Sequence, residues 1–256
     1  MAHTALVTGA ASGLGFATAE ALIQAQFSVA LLDSQPQTLA LALQQLIRTY
    51  PAAKAMAYVA DVTSETAVAE ALAKINTDLG IPSVIVNCAG ILRASRTVGK
   101  QGPMPLSEYE QVIRINLIGT FNVIRLSVAN MQSLPTDKNG ERGVIINTSS
   151  IAAFEGQIGQ AAYSASKAGV AGMTLPLARE FSTLGIRVMA IAPGLMETPM
   201  LKTLSSSAQT ALNQSTLFPK RLGKPTEFAT LVLSIVNNPL LNGEIIRLDG
   251  GIRLSV

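Results

Sequence analysis

Tyr163 and Lys167 stand four residues apart in AAYSASKAGV, residues 161–170. On a helix that spacing puts a phenol and an ammonium on one face. Such a pair can move protons. A free tyrosine ionises near pH 10 and is a poor base at neutral pH. Lowering its pKa by about three units takes roughly 4 kcal/mol of preference for the phenolate. An ammonium about 4 Å away supplies on the order of 4 kcal/mol at an effective dielectric of 20. The same spacing also suits an ordinary solvated helix face, so the surroundings decide.

TGAASGLG, residues 8–15, is the second candidate. It follows a short apolar run and opens a helical pattern. Gly9, Gly13 and Gly15 would let the backbone turn sharply and approach a pyrophosphate, whose charge suits a helix N-terminus. Glycine turns also serve tight packing, but here the context fits a dinucleotide on both sides. Asp33 ends the next apolar run, about twenty residues on, where a carboxylate accepts hydrogen bonds from ribose hydroxyls. It would repel a 2′-phosphate, and no Arg or Lys stands in the glycine turn or in DSQPQ to welcome one. The pairing favours NAD over NADP, although an aspartate there could instead cap the following helix.

The elements that must position these residues are read from periodicity. TALVT (4–8), SVALL (28–32), MAYVA (56–60), SVIVN (83–87), GVIINT (143–148), RVMAIA (187–192) and EIIRL (244–248) are mostly continuous apolar runs. Parallel strands covered on both faces have this character. Between them, apolar residues step by three or four, as at Val68, Leu72, Ile75 and Leu79. The alternation predicts one doubly wound α/β Rossmann domain over residues 1–256, with a seven-stranded parallel sheet. Two segments read as irregular, 91–107 and 194–219. The second is expected to be the substrate loop, since ligands lie beyond strand C-termini in such sheets.

Composition excludes several chemistries. The 256 residues are 48% hydrophobic and 14% charged, and 19 Lys plus Arg against 16 Asp plus Glu leave a formal charge of +3. That excess is too small and too scattered to suggest nucleic-acid binding. One cysteine, Cys88, and one histidine, His3, preclude an intrachain disulfide, a Cys/His zinc site and a Ser-His-Asp triad. No metal is expected. Without a leader or an unbroken run of about eighteen apolar residues, the protein is expected to be soluble and cytoplasmic, with no membrane partner.

TGAASGLG, NCAG (87–90), INLIGT (115–120), NTSS (147–150) and YSASK (163–167) occur in that order, and the chain resembles a short-chain dehydrogenase/reductase nearly throughout. AAFEGQIGQAAYSASK, RVMAIAPGL and NGEIIRLDG most resemble the hydroxyacyl-CoA-oxidising members. The resemblance implies that Tyr163 is the catalytic acid/base and that Lys167 assists it and holds the nicotinamide ribose. Ser150 would bind the substrate oxygen, and Asn116 would support a water linked to the lysine. It adds Ser12, Leu14, Asp61, Val62, Cys88, Ala89 and Gly90 to the cofactor site, with Pro193, Gly194, Met196 and Thr198 closing over the nicotinamide. Ser150, Gln157 and Tyr163 would meet substrate. At Met196 and Glu197 the chain departs from those members, where an aromatic residue and a glycine are expected.

The expected function is NAD-dependent interconversion of a secondary alcohol and a ketone; the resemblance implies 3-hydroxyacyl-CoA as the leading substrate and a homotetramer as the assembly. A hydroxysteroid or small-alcohol dehydrogenase is an alternative within the class, as is an acyl-carrier-protein ketoreductase, which Asp33 disfavours. A catalytically silent NAD-binding scaffold is the alternative outside it. Arg93, Arg96 and Lys100, in the 91–107 segment, could meet coenzyme A phosphates or merely cover a solvated loop.

Overall fold

The computed structural model describes residues 3–199 and 216–254. Its centre is a seven-stranded sheet in which every neighbouring pair is parallel. The strands are β1 (Thr4–Thr8), β2 (Ser28–Asp33), β3 (Ala55–Val59), β4 (Val84–Asn87), β7 (Gly143–Thr148), β8 (Ile186–Pro193) and β9 (Ile245–Leu248). In space they run β3-β2-β1-β4-β7-β8-β9. All seven runs picked from the sequence are strands, with ends moved by at most a residue or so. Chain order reverses between β1 and β4, so a crevice opens above their C-terminal ends, the usual place for a ligand in this architecture.

Helices cover both faces, which is why the strands are apolar throughout. α1 (Gly13–Gln24), α2 (Pro36–Thr49) and α8 (Pro225–Asn237) pack on one face through Leu22, Leu39, Leu46 and Phe228. α3 (Glu65–Asp78), α5 (Thr120–Met131) and α7 (Ala161–Phe181) pack on the other through Leu72, Ile75, Ile124 and Phe181. Pro36 starts α2, where its missing N–H breaks no bond. Ser64 caps α3 by accepting from the Ala67 N–H at 3.2 Å.

Two features near the crevice differ from the sequence reading. The 91–107 segment is not wholly irregular: Val98–Gly99 (β5) and Gly102–Pro103 (β6) form a two-stranded antiparallel hairpin, and α4 (Leu106–Ile113) begins within it. Strands two residues long carry no readable period. The INLIGT region contains a π-helical turn, Arg114–Gly119, joining α4 to α5. Such turns re-aim side chains and gather at functional sites. The whole run Leu106–Met131 is long and apolar enough to cross a membrane by length and composition, yet half of its most apolar window is buried inside the fold. Val123, Ile124, Val128 and Met131 are part of the core. Of the expected substrate loop 194–219, residues 200–215 lie outside the described residues.

Candidate active site

The glycine turn comes first. Gly9 and Gly13 adopt φ of +63° and +55°, a region that favours glycine. A Cβ on Gly9 would fall 2.8 Å from the Ala89 nitrogen, so the turn lies directly against the end of β4. Thr8 secures that approach: its Oγ1 accepts from the Cys88 and Ala89 N–H groups, each at 3.1 Å. Gly15 packs so closely that a Cβ would collide with the Gly9 carbonyl. The turn therefore feeds straight into the N-terminus of α1.

Asp33, at the end of β2, links the two cofactor motifs. Its Oδ2 accepts from the Ala11 N–H in the glycine turn at 3.1 Å, and its Oδ1 accepts from the Gln35 N–H at 3.0 Å. Each oxygen keeps a lone pair for a hydroxyl. Asp61 closes a local turn by accepting from the Thr63 N–H at 2.8 Å, and the buried Val62 packs beside Gly119.

These residues face one cavity of about 440 Å³. It is lined by Gly9, Ser12, Gly13, Leu14, Gly15, Asp33, Asp61 and Val62, by Cys88, Ala89 and Gly90, and by Ser150, Gln157, Tyr163, Lys167, Pro193, Gly194, Met196 and Thr198. Every site residue picked from the sequence is present except Asn116. Lys167 is the one cation among the described lining residues. Ile91, Thr148, Gln160 and Leu254 also line it and had no signal in the sequence: their roles come from backbone placement or from the far end of the chain. The side chain of Met196 also packs into the core against Gly223.

Asn116 is fully buried behind the cavity. Its Oδ1 accepts from the Ile91 N–H at 2.8 Å, and its Nδ2 donates to the Ile91 carbonyl at 2.9 Å and to Ser166 Oγ at 3.0 Å. Ser166 Oγ in turn donates to the Tyr163 carbonyl at 2.7 Å. Asn116 thus ties the chain leaving β4 to the first turns of α7. A Cβ on Gly90 would lie 3.1 Å from Asn116 Oδ1 and 3.5 Å from Lys167 Nζ, so Gly90 separates the two side chains.

Ser149 and Ser150 have different partners. Ser149 Oγ donates to the Lys167 carbonyl at 2.9 Å, fixing α7 to the end of β7. Ser150 Oγ accepts from the Ala152 N–H at 3.1 Å and hydrogen-bonds the Tyr163 phenol. Ser150 is therefore the hydroxyl beside the tyrosine, in keeping with the role that the resemblance implies for it.

The electrostatics correct the simple pairing argument. Lys167 is 5% exposed, and its Nζ donates to the Thr148 carbonyl at 2.7 Å. It stands 5.9 Å from the centre of the Tyr163 ring, over the ring and turned toward Thr148. Burial pulls the ammonium down to about 8, and burial pushes the Tyr163 phenol up, opposed by the Ser150 hydrogen bond. Burial also pushes the Cys88 thiol up to about 11. In this arrangement the phenol is a proton donor, with a lysine beside it poised to change charge in mildly alkaline solution.

The fold and the crevice define a class of dinucleotide-dependent oxidoreductases. The family model for short chain dehydrogenases matches residues 3–209, and the chain belongs to that family. Bovine (Bos taurus) 3-hydroxyacyl-CoA dehydrogenase type-2 is 51% identical over 256 residues, 98% of this chain and 95% of that protein. The human (Homo sapiens) protein of that name is 50% identical over 253 residues, with the same coverage. The crystal structure of 3-hydroxyacyl-CoA dehydrogenase type-2 from Mycobacterium avium superposes with a TM-score of 0.92 at 38% identity, covering 99% of this chain and 96% of that one. The protein is an oxidoreductase, and enzymes of its family generally use NAD or NADP. The cavity fits such a group: glycines where a Cβ would obstruct, a helix N-terminus for the pyrophosphate and a carboxylate for ribose hydroxyls.

The shifted lysine leads to a stability prediction. In the unfolded chain Lys167 holds its proton to about 10.5, in the folded protein to about 8. Between those values the unfolded state binds more protons, so stability rises with pH. Below pH 8 both states are charged and the full cost of burial, of order 3 kcal/mol, is present. Lys167→Met removes this term. In thermal melts the variant should gain most relative to the parent near pH 7, and the difference should shrink as pH rises from 8 to 10. Tyr163 titrates in both proteins and drops out of the comparison; the Cys88 thiol is coupled to the Lys167 charge, so both melts are made in a Cys88→Ala background.

Proposed function

We propose that the protein interconverts 3-hydroxyacyl-CoA and 3-ketoacyl-CoA esters with NAD(H), acting as a homotetramer. The observation that carries this reading is the convergence of Ser150, Tyr163 and Lys167 on the same cavity whose other end holds the glycine turn and Asp33. In ketone reduction Ser150 Oγ donates a hydrogen bond to the carbonyl oxygen, and Tyr163 gives that oxygen its proton. In alcohol oxidation Tyr163 takes the hydroxyl proton while Ser150 keeps the oxygen in place. The nicotinamide, when bound, gives or accepts the hydride. Lys167 is assigned the nicotinamide ribose and keeps its place through the Thr148 carbonyl. Asn116 holds the Ile91 backbone and, through Ser166, the Tyr163 turn. Much of the rate would come from orientation.

NAD is assigned on Asp33 and on the lack, among the described lining residues, of a cation other than Lys167. The acyl-CoA is assigned from the names of the relatives and from Arg93, Arg96 and Lys100. These three are exposed on the segment after β4, which reaches the cavity lip where the Ser95 N–H donates to the Gly159 carbonyl at 2.9 Å. No carboxylate among the described residues pairs with them. The homotetramer would cover exposed apolar side chains such as Ile118, Phe121, Leu175 and Leu240.

The deciding experiment is NADH formation measured across 3-hydroxyacyl-CoAs, hydroxysteroids and small secondary alcohols. Turnover of the alcohols with none of the acyl-CoAs would remove the substrate assignment and leave the dehydrogenase. Tyr163→Phe should bind NADH normally and lose nearly all turnover, because only the proton-transfer oxygen is removed. A variant retaining a tenth of the activity would refute the acid/base role.

Asp33→Ala should weaken NAD binding and narrow the gap to NADP, measured as kcat/KM for each. Equal efficiency with both cofactors in the parent would contradict the cofactor assignment. Reversing the charges at Arg96 and Lys100 should raise KM for acetoacetyl-CoA, most at low salt, where screening is weakest. A short ketone lacking the coenzyme should be little affected, and an unchanged KM for the ester would exclude these cations.

A further inference from the structure

The cavity is closed on one side by a residue from the far end of the chain, Leu254. Chain ends are ordinarily loose unless something ties them down. Here β9 runs into a tight reversal through Gly250 and Gly251, at φ of +60° and +80°. Arg247 fastens that reversal. Its guanidinium donates to Asp249 Oδ2 at 2.8 Å and to the Ile252 carbonyl at 3.1 Å, and it pairs with Glu155. Arg253 joins the same cluster through Asp249 at 3.1 Å. Ile252 is buried, and the Phe218 N–H donates to the Gly250 carbonyl at 3.1 Å. The chain that reaches Leu254 is therefore anchored.

The sheet sets the start of the tail far from the Asp33 end of the cavity. Asp33 ends β2, and the tail springs from β9, five strands away in the order β2-β1-β4-β7-β8-β9. At about 4.8 Å per strand the two are separated by roughly 24 Å. The tail lies instead beside the catalytic groups. Glu155, its anchor, follows Ser150 by five residues, and Asp249 Cβ lies 2.8 Å from where a Cβ on Gly194 would stand. Leu254 is half-buried, and its side chain is aliphatic.

We propose that Leu254 is a specificity-determining residue: it forms an apolar wall at the substrate end of the cavity and sets how long a carbon chain fits beside the reacting carbonyl. The proposal rests on the reading of this site as a ketone- and alcohol-binding one, without depending on coenzyme A. Leu254→Ala lengthens the space and Leu254→Phe shortens it. A few methylenes in an apolar pocket command about tenfold discrimination or more.

The test uses the full chain and NADH consumption with two pairs of ketones: acetoacetyl-CoA against 3-ketodecanoyl-CoA, and ethyl acetoacetate against ethyl 3-oxodecanoate. The long-to-short ratio of kcat/KM should rise about tenfold in Leu254→Ala and fall about tenfold in Leu254→Phe. NADH affinity, followed by fluorescence, should stay at the parent value. Ratios within about twofold of the parent in both variants would overturn the proposal. So would a loss of NADH affinity with unchanged ratios, since the tail would then border the cofactor. Shifted ratios for the coenzyme-free esters, with no turnover of the coenzyme A esters, would uphold Leu254 and reject the acyl-CoA substrate.

Discussion

A lysine ammonium buried against a single carbonyl is the constraint on which the site depends. Among the described residues Lys167 Nζ has one hydrogen-bond acceptor, the last carbonyl of β7. A buried charge is costly unless it is well paired, and the tools for pairing are few at this point. Ser149, next on the chain, holds the backbone of Lys167 and not its ammonium. The lysine is kept by the rigidity of what surrounds it: a 21-residue helix on one side and a parallel strand on the other. Its lowered pKa follows from that confinement.

The same confinement changes the argument about the tyrosine. Spacing alone suggests an ammonium close enough to draw the phenol toward neutrality. In the folded chain the ammonium sits over the ring and faces Thr148, and burial raises the phenol. Two groups that were to share one proton economy are held apart by desolvation, the tyrosine as acid and the lysine near its own neutral point. The geometry without ligand thus suits proton donation. A positive charge entering the cavity would act on a phenol that Ser150 already hydrogen-bonds, in a medium of low dielectric where each charge counts for more.

Most of this was legible in the sequence because its determinants are local. The seven strands announce themselves as apolar runs, since both sheet faces are covered. Gly9, Gly13 and Gly15 are dictated by a turn only a few residues long, and Tyr163 and Lys167 by one turn of helix. What escaped was non-local or carried by backbone. RINLIG has the same apolar spacing in a π turn as in an α-helix, so nothing marks the extra residue. Asn116 has the residue type expected of a site group, but its partners are the Ile91 backbone and Ser166, 25 and 50 residues away. The Thr148 carbonyl has no side-chain signature at all. Leu254 reads as an ordinary terminal leucine until Arg247 and the two glycines fold it back.

The order of strands divides the work along the crevice. The edge from β2 through β1 to β4 presents glycines and a carboxylate, which are groups for sugar and phosphate. The adjoining β7 edge presents Ser150 and, through its last carbonyl, the position of Lys167. Beyond it, β8 and β9 contribute Pro193, Gly194 and the anchored tail, whose surface toward the cavity is apolar. A parallel sheet makes this division natural, because every strand ends at the same edge and each delivers a different loop to it. The cofactor half is bound by backbone geometry that tolerates little change. The tail starts five strands from Asp33, so the side chain of Leu254 can vary without disturbing the adenosine end of the cavity. One scaffold can thereby keep its chemistry while the surface beside the reacting carbon changes.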